Sequence, residues 1–75
     1  MNLSEIPVGK GGIISHAEGR LRQRLCDLGF TRGAEARCLF AAPGRGMRAY
    51  RVRGAVIALR GKDARQVVME EQGHA

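Results

Sequence analysis

Glycine limits this chain more than any other residue. Eleven glycines are spread over 75 residues and cut the sequence into short pieces. Short pieces separated by Gly predict a small all-β fold with tight turns. The chain holds one domain, residues 1–75, because a domain needs at least about 50 residues and commonly 100 or more. A domain of this size buries only roughly 60% of the surface that its unfolded chain exposes. Its core is thin, and a deep substrate pocket would take core volume that the fold cannot spare. This weighs against an enzyme.

Hydrophobic residues make up 44% of the chain, so it has the means to fold, but aromatics are only 4%. Phe30, Phe40 and Tyr50 are the whole aromatic set, and the core falls mainly to Leu, Ile, Val and Ala. The net charge is +6, from 13 cations against 7 acids. Such a surplus is either a solvated positive surface or a match for an acidic partner: nucleic acid, an anionic membrane face or an acidic protein. Cys26 and Cys38 are too few for a disulfide scaffold. No apolar stretch reaches the roughly 18 residues needed to cross a bilayer. The N-terminus lacks the charged-then-apolar order of a signal peptide. The expected compartment is the cytoplasm.

Along the chain, Leu3, Ile6 and Val8 belong to an entry loop able to pack over one end of the fold. Gly12–Ser15 reads as the first strand. A helix is predicted over Ala17–Leu28, opened by a Ser15/Glu18 capping box. Leu21, Leu25 and Leu28 form its apolar stripe. Gly29 suits the left-handed residue just past a helix end. Ala34–Ala41 reads as a strand with Ala36, Cys38 and Phe40 inward and Leu39 outward. Met47–Arg53 follows, with Tyr50 and Val52 inward. Gly54 marks a hairpin turn. Ala55–Arg60 is the next strand, with Ile57 and Leu59 inward. Gly61–Ala64 is a turn or a single helical turn, and Gln66–Glu70 is the last strand. The tail, about 72–75, is expected to be disordered. Five short strands with one inserted helix predict a small, partly open β-barrel, since closure removes exposed sheet edges.

At this point the sequence resembles a known family. "RQRLCDLGFTRGAEARC", with Leu25, Leu28, Gly29 and Gly33, is similar to the ferrous iron transport protein A (FeoA) pattern of a helix ending in Leu-x-x-Leu-Gly, a turn and a strand. "AAPGRG", with Ala42 and Pro43, resembles the family's Ala-Pro loop. Val52, Gly54, Ile57, Leu59, Arg60, Asp63 and Ala64 match its hairpin and closing strand. The resemblance runs from about Leu3 to Glu71. Where the family usually carries Gly-Asp-Pro, this chain reads Gly46-Met47-Arg48, so an acid is lost and a cation gained. The resemblance implies an SH3-like barrel of about five strands. It also implies a cytoplasmic accessory role in ferrous iron uptake, through docking onto the FeoB-type membrane transporter. The same barrel resembles the partner-binding domain of metal-dependent repressors.

Candidate sites divide by chemistry. His16, Glu18, Cys26, Cys38 and His74 are the possible metal ligands, but none forms the paired spacing of a structural zinc site, so no metal and no cofactor are expected. No catalytic constellation and no phosphate loop occur, since Gly9-Lys10-Gly11-Gly12 lacks the required ending. Arg45, Arg48, Arg51 and Arg53 cluster on a loop and hairpin. They suit an acidic protein, or nucleic acid if exposed aromatics accompany them. Tyr50, the nearby aromatic, is expected inward, which disfavours nucleic acid. Leu39, Met47 and Val56 fall opposite the predicted core, where they either form an apolar dock or are covered by the helix or the N-terminal segment. Phe30 is a further contact candidate or a plug for the barrel end. The expected partner surface is therefore Phe30, Leu39, Arg45, Met47, Arg48 and Arg51, with self-association as a further option and no direct insertion into a membrane.

Overall fold

The computed structural model describes residues 1–44 and 46–71. The expected loose tail and Arg45 lie outside the described residues. A 3₁₀ turn over Leu3–Glu5 leads to β1 (Gly11–Ala17), α1 (Arg22–Asp27), β2 (Glu35–Ala41), β3 (Met47–Val52), β4 (Ala55–Arg60), α2 (Gly61–Ala64) and β5 (Val67–Met69). The strands run antiparallel in the order β4-β3-β2-β1-β5. β1 serves two partners: Gly11–Ile13 pair with β2, and Ile14–Ala17 pair with β5. This division bends the sheet around its core and gives the SH3-like, mostly β architecture.

The helix is shorter than the leucine spacing predicts. Ala17 is still paired with Val67, and the Glu18 amide donates to the Gln66 carbonyl. Those bonds hold the chain extended, so α1 begins only at Arg22, after a turn at Gly19. Ser15 and Glu18 cap nothing; both instead reach His16. The capping box lies at the chain start, where Asn2 and Glu5 satisfy each other's backbone amides. Of the leucine stripe, Leu25 is buried, Leu21 is partly buried and Leu28 is exposed.

The end of α1 follows the sequence expectation. The Gly29 amide donates to the Cys26 carbonyl, and the Phe30 amide reaches back to Leu25. This is a Schellman cap, and it requires a left-handed residue between the helix and Phe30. Gly29 supplies it at φ 113°. The cap turns Phe30 into the core, where it is 0% exposed. Its ring meets Tyr50 edge-on, with centroids 6.4 Å apart and planes at 88°. Such a pair adds about 0.5–1.5 kcal/mol beyond the burial itself. The β3–β4 hairpin closes through Arg53 and Gly54, both at positive φ, as a type I′ turn demands.

Two bulges move side chains from the faces that simple alternation assigns. In β1 the pairing slips between Ile14 and His16, so Gly12 and Ile14 point inward and then Ala17 does. In β2 it slips between Cys38 and Phe40. The extra residue, Leu39, is left half-buried, and Phe40 turns outward instead of inward. Of the entry loop, Leu3 and Ile6 are buried, but Val8 is exposed.

Gly29→Ala should lower stability by about 1–2 kcal/mol, read as a fall in the urea midpoint, because an L-residue is strained there. The new Cβ would stand 3.7 Å from Arg53, an ordinary contact, so the backbone alone is at issue. Gly61→Ala has open space and no positive φ, and should leave the midpoint unchanged or raise it. Equal midpoints for the two variants would contradict the capping role.

Candidate docking face

The outward side of β2, β3 and β4 carries the apolar residues that the core leaves out. Register sets them in rows. Phe40 stands beside Ala49, which stands beside Ala58. Arg37 stands beside Arg51, which stands beside Val56, and Met47 faces Arg60. Phe40 is 58% exposed, Val56 60% and Met47 43%. The two alanines keep the centre low, so the large ring lies over a shallow apolar shelf. Arg37, Arg51 and Arg60 rim it. An apolar centre with a charged rim is the ordinary anatomy of a protein interface.

The residues expected at the partner surface are therefore split. Met47 and Arg51 lie on this face, Leu39 sits half-buried at the bulge beside it, and Phe30 is a core plug. The structure removes Phe30 from any surface because the helix cap directs its ring inward. Phe40 belongs to the face but was not legible, since alternation from Cys38 puts it in the core. Only the slipped pairing after Cys38 reverses it.

Arg48 is half-buried and bonded within the protein. Its Nε donates to the Tyr50 hydroxyl at 2.8 Å, and one Nη donates to the Ile6 carbonyl at 2.6 Å and to the Cys38 sulfur at 3.5 Å. The Tyr50 hydroxyl in turn donates to the Leu3 carbonyl at 3.3 Å. This network fastens the N-terminal turn across β3. Burial raises the Tyr50 pKa above its ordinary value, and the Arg48 guanidinium partly opposes that rise. Arg48 thus acts as a clamp between β3 and the N-terminal turn.

Among the described residues, no three His, Cys, Asp or Glu side chains converge on a point that could hold a metal. His16 Nε2 and Glu18 Oε1 lie 3.2 Å apart on the surface. Cys38 is buried in the core and Cys26 is partly exposed. Among the described residues no helix is long and apolar enough to cross a membrane.

A family model, the FeoA domain, matches residues 1–71. FeoA of Stenotrophomonas maltophilia, solved with zinc, is 29% identical and superposes with a TM-score of 0.85 over 93% of this chain and 89% of its own. That protein is described as an SH3 domain protein and a candidate ferrous iron transport activating factor. The FeoA protein of Chlorobium tepidum is 28% identical, with a TM-score of 0.83 over 97% of this chain and 71% of its own. A manganese-dependent transcriptional repressor superposes at 0.79 over 95% of this chain and 41% of its own. At 16% identity that likeness shows a shared fold alone. No curated protein matches the sequence significantly.

Tyr50 is the only tyrosine and the chain has no tryptophan, so tyrosinate absorbance reports the clamp alone. Its titration midpoint should lie higher in the native protein than in urea. Because the folded pKa is raised, the native state holds the proton more tightly. The contribution linked to this buried proton is then complete below the unfolded midpoint near pH ~10 and is lost as pH rises through the folded one. Tyr50→Phe leaves the Arg48 Nε–H without its partner, while the Leu3 carbonyl keeps the Ile6 amide, and should cost about 1–3 kcal/mol. Coincident native and denatured midpoints would contradict the geometry.

Proposed function

The chain belongs to the FeoA domain family, and from that premise we propose that it is a non-enzymatic accessory protein of ferrous iron uptake that docks onto the cytoplasmic part of a FeoB-type transporter. The observation that supports this reading most is the outward shelf of Phe40, Met47 and Val56 with its arginine rim. Large apolar side chains on neighbouring strands are costly to leave in water, and a partner that covers them recovers that loss. The rim suits an acidic surface around the contact, which guides approach and fixes orientation. No bond is made or broken in such a role. The protein acts in the cytoplasm, at the inner face of the membrane through its partner.

The exposed Phe40 ring among arginines supports one other reading, a base-stacking contact with single-stranded nucleic acid. The two readings separate on the identity of the captured molecule and on salt.

A pull-down with the cytoplasmic part of the transporter from the same cell should retain the wild-type protein. Phe40→Ser with Met47→Ser should reduce capture by about tenfold or more, as loss of a central apolar contact does, while circular dichroism stays unchanged. No capture of the wild type, or equal capture of the double variant, would sink the docking reading. Retention of a generic oligonucleotide that falls steeply with salt would favour nucleic acid instead.

A further inference from the structure

A second concave surface lies away from the shelf. Where the β2–β3 loop meets the start of α2, the barrel end opens into a cleft of about 530 Å³. Small-molecule sites occupy roughly 300–1,000 Å³. Arg48, Arg60, Lys62 and Arg65 line it, and among the described residues no Asp or Glu does. Arg60, Lys62 and Arg65 come from one stretch, the end of β4 through the residue that closes α2, and the fold brings Arg48 of β3 up to them.

None of the four is paired with a carboxylate among the described residues. Among the described residues the single pairing within 4.0 Å of a carboxylate is His16 with Glu18, on β1 and the residue just after it. Four like charges facing one concavity repel each other, and a multivalent anion relieves that repulsion better than a single carboxylate. Arg48 is already held in place by Tyr50, Ile6 and Cys38, and its other Nη has no partner among the described residues. A cation fixed before the ligand arrives loses little freedom on binding it. The wall is open as well. Gly44 and Gly61 have nothing within 4 Å of where a Cβ would stand, so an anion can approach the backbone there. Among the described residues no aromatic ring lines the cleft to stack a base.

We propose that this cleft binds a compact diphosphate group, free or at the end of a nucleotide, gripped by Arg48, Arg60, Lys62 and Arg65. The site is separate from transporter docking and shares only Arg60 with the rim of the shelf, so either can fail alone.

Calorimetric titration of the full chain at constant ionic strength tests it, with pyrophosphate, ADP and sulfate as probes. Pyrophosphate should bind at least about tenfold more tightly than sulfate, and Lys62→Gln with Arg65→Gln should weaken it by about tenfold or more, as loss of two charge-assisted contacts does. Both side chains are exposed, so the variant folds, which circular dichroism verifies. Arg22→Gln with Arg51→Gln removes the same charge outside the cleft and should change affinity by less than about twofold. ADP binding more tightly than pyrophosphate supports the site with a nucleotide as its source. ADP binding equally or less tightly supports it with free diphosphate as the source. Pyrophosphate no tighter than sulfate, or equal weakening by the two double variants, would overturn the proposal.

Discussion

Tyr50 lies where three stretches of the chain meet. Its ring packs against Phe30 from the end of α1, and its hydroxyl joins Arg48 on its own strand to the Leu3 carbonyl of the N-terminal turn. Arg48 extends the link to Ile6 and Cys38. A thin core cannot leave a phenol or a guanidinium unsatisfied, because each stranded polar group there removes a sizeable share of a small domain's stability. The network resolves this by letting the phenol and the guanidinium bond backbone carbonyls of the N-terminal turn. It also seats Leu3 and Ile6 as the plug of that end. With the interior filled in this way, the chemistry of the molecule is left to its exterior.

How much of this the sequence discloses depends on whether a local rule or a distant pairing sets each position. Gly29 and Gly54 are legible because a helix exit and a two-residue hairpin each demand positive φ, whatever surrounds them. The inward faces of β3 and β4 are legible because neither strand contains a bulge. Phe40 is not legible: its direction depends on Leu39 being the unpaired residue against β3, and no local property of Leu39 signals that. The start of α1 is hidden for a related reason. Helical spacing of leucines continues upstream of Arg22, but pairing of Ala17 and Glu18 with the β5 region takes those residues first. Alternation from Tyr50 and Val52 sets Arg48 on the inward face, but only the fold shows the hydroxyl, sulfur and carbonyl that receive its guanidinium.

The family assignment and the geometry support each other at different levels. The FeoA match gives the SH3-like frame and the setting of ferrous iron transport. The geometry gives what this chain's own residues add: a clamp built on Arg48, and an aromatic shelf exposed by a bulge. Self-docking remains chemically open to the same shelf, since an apolar surface does not by itself choose between a copy and a different partner. The arginine rim argues for a partner with the opposite charge, because two copies of a +6 chain repel.

The central claim is that the transporter meets the outward sheet face and leaves the clamped N-terminal turn undisturbed. Amide NMR spectra of the labelled protein, recorded as the transporter's cytoplasmic part is added, test it most directly. The account predicts shifts concentrated at Phe40, Ala49, Val56 and Ala58, with Leu3, Ile6 and Tyr50 undisturbed. Shifts centred on Leu3, Ile6 and Tyr50, with the sheet face unchanged, would contradict it.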